Sequence, residues 1–140
     1  MTRGFSLAGL LRVRSIQERA AAQRLSRAAI EADQTASRER QMRAALATTG
    51  AEATDVRTLA ALAAARVAGR SLLADLDALS ELQQTALREA REGHEAARRE
   101  VRGLERLAEA HASQVRATGQ KAEQSELDEI AARTRAEDRR

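Results

Sequence analysis

Residues 72–104 read LLADLDALSELQQTALREAREGHEAARREVRGL, and the spacing of their apolar side chains decides the fold. Leu72, Leu76, Leu79, Gln83, Ala86 and Ala90 recur at alternating steps of four and three. That repeat draws one narrow stripe along a helix and lets it supercoil with a neighbour. After a shift the series resumes as His94, Ala97, Val101, Leu104, Ala108, His111, Val115, Thr118 and Ala122. The shift near Ala90 reads as a stutter, an offset that locally changes supercoil winding.

Upstream, Leu11, Ala21, Leu25, Ala28, Ala32, Met42 and Leu46 form a matching stripe over about residues 5–47, weakened where Thr35 and Glu39 fall on it. The two tracts are separated by Ala47-Thr48-Thr49-Gly50-Ala51-Glu52-Ala53-Thr54-Asp55. This segment joins a glycine suited to end a helix with residues, Thr54 or Asp55, suited to cap the next. Downstream of Lys121–Gln124, a second discontinuity, Leu127, Ile130 and Ala131 make a new apolar patch, and the charged tail 136–140 is expected to fray.

Composition supports the same reading. The 140 residues contain one Phe and no Tyr, Trp, Pro or Cys, so the bulky side chains that fill a globular core are missing. Ala, Leu, Glu, Arg and Gln, all strong helix formers, dominate instead. A single stripe cannot be buried by one helix alone. The sequence therefore predicts an all-α chain folded as a long antiparallel two-helix coiled-coil hairpin, one elongated domain over 1–140. Its first helix would cover 5–47, its bend 48–55 and its long second helix 70–135. Residues 56–68, with Leu59, Leu62, Ala63 and Val67, have room to form a short extra helix at the tip, separated by a break or hinge at Gly69. Glycines 69, 93, 103 and 119 each cost about 1 kcal/mol relative to alanine inside a helix. They read as packing at close helix contacts, with hinges in a bending shaft as the alternative.

Little material for catalysis is present. His94 and His111 have no histidine or cysteine one turn away, so neither a metal site nor a general base is expected. His94-Glu95-Ala96-Ala97-Arg98 lacks the second histidine of a zinc-protease helix, and Gly119-Gln120-Lys121 lacks the rest of a phosphate-binding loop. Acidic pairs such as Asp75 with Asp77 are solvated helix faces. The net charge is only +3 although 32% of residues are charged, which argues against a strong single-sign field. Arg12, Arg14, Arg19, Arg24 and Arg27 concentrate basic charge near the start. Nucleic-acid binding is nevertheless disfavoured, for aromatic platforms and a long basic run are both missing. Arg12 and Arg14 also interrupt the early apolar run too soon for a signal peptide, and no stretch approaches a membrane span, so a cytoplasmic protein is expected.

Both ends of the chain carry a family pattern. Near the start stand Phe5, Leu10-Leu11-Arg12-Val13-Arg14, Glu18, Ala21-Ala22, Leu25 and Ala28-Ala29. Near the end stand Leu104-Glu105-Arg106-Leu107, then Glu123-Gln124-Ser125-Glu126-Leu127-Asp128-Glu129-Ile130-Ala131 and Arg133. In order and spacing these segments resemble the FliJ family, the coiled-coil stalk of the bacterial flagellar type III export ATPase. The middle of the chain matches only in being helical.

The resemblance implies a non-enzymatic, cofactor-free antiparallel coiled coil, similar to the rotor shaft of the F-type ATP synthase. Its paired ends would enter a hexameric export ATPase ring, its tip would meet the export-gate membrane protein, and export chaperones would be further partners. It would sit at the cytoplasmic face of the export apparatus without inserting in the membrane. Carried over residue by residue, the ring-facing set is Leu10, Leu11, Arg14, Glu18, Leu127, Glu129, Ile130 and Arg133. The gate-facing set is Met42, Leu46, Leu72, Leu76 and Leu79, for which seam packing is an equal reading. The alternative is a scaffold or secretion chaperone of the coiled-coil type without an ATPase partner.

Overall fold

The computed structural model describes residues 3–50 and 54–137, with side chains from Leu7 onward. Two helices account for almost all of them: α1, Arg3–Thr48, and α2, Val56–Glu137. They pack against each other antiparallel as a two-helix hairpin, and no strand occurs among the described residues. α2 runs without interruption through Gly69, so the tip segment expected at 56–68 is continuous with the rest of that helix. Of the tail 136–140 expected to fray, residues 136 and 137 belong to α2 and 138–140 lie outside the described residues. The chain divides into two compact units, Ile16–Arg98 and Met1–Ser15 with Arg99–Arg140.

Within Ile16–Arg98, the bend is built from capping chemistry. The last carbonyls of α1 are met by hydroxyls: Thr48 Oγ1 donates to Ala45 O at 3.1 Å and Thr49 Oγ1 to the same oxygen at 2.6 Å. The carbonyl of Thr49 accepts from Arg66 Nη2 at 2.8 Å and Nε at 3.2 Å. This cationic donor at a helix C-terminus satisfies an orphan acceptor and opposes the helix dipole. Gly50 follows with φ of 122°, a conformation that side-chain-bearing residues rarely adopt. A Cβ there would also press on the Arg66 guanidinium.

Of the two capping residues expected for α2, Asp55 does the work. Its Oδ1 accepts from the Thr58 hydroxyl at 2.6 Å and from the Thr58 N–H at 2.7 Å. These bonds, the hydroxyl first, hold its carboxyl below the ordinary value of 3.8. Because the folded value is the lower one, the cap is at full strength above the unfolded value and is lost as pH falls through the folded value. Asp55→Asn keeps an accepting oxygen but does not titrate. Its melting temperature is therefore expected to fall less than that of the parent between about pH 5 and about pH 2. Equal falls in both proteins would show that the cap carries no part of the acid sensitivity.

Away from the bend in the same unit, α1 turns Glu18, Ala21, Leu25, Ala28, Ala32, Thr35, Glu39, Met42 and Leu46 towards α2. In return α2 offers Gly69, Leu73, Leu76, Ser80, Gln83, Leu87, Ala90, His94 and Ala97. Both series alternate steps of four and three with no shift. The seam of α2 is thus corrected: Leu73, Ser80 and Leu87 occupy the places expected of Leu72, Leu79 and Ala86, and the stutter at Ala90 disappears. The two frames share Leu76, Gln83, Ala90 and Ala97, and only the buried one reaches His94 in phase. Leu72 and Leu79 remain 47% and 39% exposed.

Thr35 at 2% exposure, Ala21 at 4% and Ala32 at 6% are the most deeply covered residues, whereas Leu87 at 9% is the one large apolar side chain among the buried described residues. Small seam residues let the helices approach closely at the cost of buried area. At Gly69 the expectation of a close contact holds, since a Cβ there would lie 2.6 Å from Leu46 Cδ2. Gly93, Gly103 and Gly119 have open space where a Cβ would go.

In the unit formed by the chain's two ends, Leu7, Leu11 and Arg14 of α1 lie half-buried, as do Val101, Leu104 and Ala108 of α2. Beyond Ala112 every described side chain of α2 is exposed, through residue 136. This length of helix has nothing laid against it among the described residues.

Candidate interaction surfaces

The ring-facing residues separate into three places. Leu10, 43% exposed, and Arg14 line a shallow groove with Glu100, Gly103, Leu104 and Leu107, so the Leu104-Glu105-Arg106-Leu107 turn meets the leucine-rich start of α1. Arg14 Nη1 lies 2.9 Å from Glu100 Oε2 across that contact. Leu11 is half-buried between the helices. The side chain of Phe5 lies outside the described ones.

Glu18 belongs to the other unit, where its Oε1 is 3.1 Å from His94 Nε2 and both side chains are partly buried. It is engaged in the seam and does not face solvent as a free charge. The seam histidine thereby gains a partner for one ring nitrogen, which lowers the cost of burying a polar side chain between helices.

Leu127, Glu129, Ile130 and Arg133 lie on the unaccompanied length of α2 and are not brought against Leu10 or Leu11. Leu127 and Ile130, 61% and 59% exposed, stand three residues apart and so share a face. Arg133 pairs with Glu129 one turn earlier, and Gln124 Nε2 donates to Asp128 Oδ1 at 3.1 Å. These local pairs support a helix that has no neighbour among the described residues. They leave an apolar pair ready for a partner.

Of the gate-facing residues, Met42, Leu46 and Leu76 are half-buried seam positions, while Leu72 and Leu79 project from one flank. Arg38, Gln41, Met42, Ala45, Leu72 and Leu76 line a groove along that flank. On the opposite flank Arg43 pairs with Glu39 and lies 3.3 Å from Asp77, closing that side with charge.

The end of the hairpin is marked by residues that sequence reasoning placed on a helix without assigning a surface. Val56, Leu59 and Val67 are 83%, 59% and 67% exposed. Since Arg66 reaches the end of α1 at Thr49, the turns from Val56 to Ala65 run past that end. Their apolar spacing was visible; its exposure depends on where α1 stops.

Among the described residues no cluster of His, Asp or Glu could hold a metal ion, and no helix is long and apolar enough to cross a membrane. The fold and its surfaces define an antiparallel two-helix coiled-coil protein with apolar side chains displayed at its bend, on one flank and on a lone helical extension. No protein-family description, curated protein or solved structure matches the chain.

Proposed function

We propose that this protein is a non-enzymatic coiled-coil stalk of the flagellar type III export apparatus. It would regulate the export ATPase ring and couple it to the export gate and to export chaperones, in the cytoplasm at the face of the apparatus. The observation that carries this reading is the pair of FliJ-like terminal segments, residues 5–29 and 104–133, on a chain that folds as a two-helix hairpin. The exposure of Leu10, Leu127 and Ile130 supports it, because apolar side chains left open to solvent are the kind that anchor an interface. Val56, Leu59 and Val67 supply the apolar end that a gate contact needs.

The test is ATP hydrolysis by the flagellar export ATPase of the same organism, titrated with this protein and followed together with hexamer formation. Stimulated turnover with ring assembly is the expected result. No binding to an active ATPase would favour the scaffold or chaperone role. Leu127→Ala with Ile130→Ala is expected to weaken ring binding by about tenfold or more. The hairpin should keep its helicity and melting temperature, because neither side chain packs on α1. Unchanged affinity in the double variant would remove the C-terminal cluster from the binding surface.

A further inference from the structure

We infer that the flank of the hairpin carrying Leu72 and Leu79 is the contact surface for a second copy of this chain. All residues concerned lie within Ile16–Arg98. In two of the heptads between 72 and 90 α2 carries three apolar positions, Leu72, Leu73 and Leu76 and then Ala86, Leu87 and Ala90, not the two that a two-stranded coil uses. Leu73, Leu76 and Leu87 face α1, whereas Leu72, Leu79 and Ala86 repeat every seven residues beside them and stay exposed. Such widening of the apolar stripe is the mark of a helix with more than one helical neighbour. The open stripe is continuous with the α1–α2 seam: Leu72 and Leu76 line one groove with Arg38 and Ala45, and Ala86 and Ala90 line another with Arg24 and Ala28.

Charge identifies the occupant. On α1 this flank is edged by Arg24 and Arg38, fourteen residues apart; on α2 it is edged by Asp75 and Glu89, also fourteen apart. All four are exposed and none forms an ion pair among the described residues. The opposite flank, by contrast, is closed by Arg43 with Asp77. When α2 of one copy lies in the groove of the other, parallel to that copy's α1, Asp75 meets Arg24 of the second copy and Glu89 meets Arg38 of the second copy. Two-fold symmetry repeats both pairs. Midway, where α1 places Glu31, α2 places Leu82 and no second acidic residue, so the pairing meets no like-charge contact there. The apolar stripe supplies the area and the charges set the alignment.

Sedimentation equilibrium on the full chain tests this directly. The wild type is expected to be a dimer and Leu79→Arg a monomer, both with the same helical circular dichroism. Arg38→Glu, on an exposed site that leaves the fold intact, should weaken the dimer by about tenfold, since two attractive pairs become repulsive. Adding Glu89→Arg to the same chain should restore it, because each swapped pair is attractive again. A monomeric wild type overturns the inference. So does a dimer indifferent to Leu79→Arg and Arg38→Glu, which would place the contact elsewhere, on the lone length of α2 for example, or a double variant no tighter than Arg38→Glu alone.

Discussion

Replacing Gln83 by methionine is expected to raise the stability of the hairpin by about 1–2 kcal/mol, seen as a higher urea midpoint with an unchanged slope. Gln83 sits on the α2 seam, and its Oε1 is buried without a hydrogen-bond partner among the described residues. An unsatisfied buried acceptor loses its water and gains nothing in return, so the folded state bears the full desolvation cost. Methionine keeps the unbranched length that fits between the helices and removes the amide. In coiled coils formed from separate chains a polar seam residue is often retained because it selects register. Here the bend, with Arg66 bonded to Thr49, already holds the two helices in one register. The substitution should therefore cost no specificity. An unchanged midpoint would mean that the amide oxygen finds water in solution.

Leu87→Ala is expected to destabilise the hairpin by about 2–3 kcal/mol, measured at concentrations where the chain is monomeric. Most of the seam around it is alanine, threonine or serine, so Leu87 carries an outsized share of the buried area in its unit. Neighbouring side chains too short to collapse into the vacated volume leave a cavity, which adds to the lost transfer energy. Leu79→Ala, at a site 39% exposed, should cost about 1 kcal/mol or less under the same conditions. The ratio of the two effects reports which heptad frame α2 uses. A larger loss at Leu79 than at Leu87 would place α1 against the other stripe.

That frame is the clearest case of something the sequence left undecided. Leu72, Leu79 and Ala86 are as apolar as Leu73, Ser80 and Leu87, and each trio completes a heptad with the same Leu76, Gln83 and Ala90. Adjacent positions on a helix differ by about 100°. The choice therefore rotates the helix onto a different flank without changing its hydrophobicity. Continuity with His94 was the available signal, and weighting it above the local leucines would have removed the stutter. The terminal clusters were legible as patterns, but their separation into different places was not, for it depends on how far α1 extends beside α2.

Several features were determined by the chain alone. Helix formation throughout follows from alanine-rich composition with no proline, the bend from threonines and a glycine followed by Asp55, and pairing from a stripe too narrow to be buried by one helix. These are local or one-dimensional properties, fixed by propensity, capping and period. Only tertiary structure decided which flank of α2 is covered, that Glu18 is taken up by His94, that Gly69 makes room for Leu46, and that beyond Ala112 no described residue lies against α2. Each of these depends on the register of one helix against another, and register is set by the sum of many small contacts along the seam.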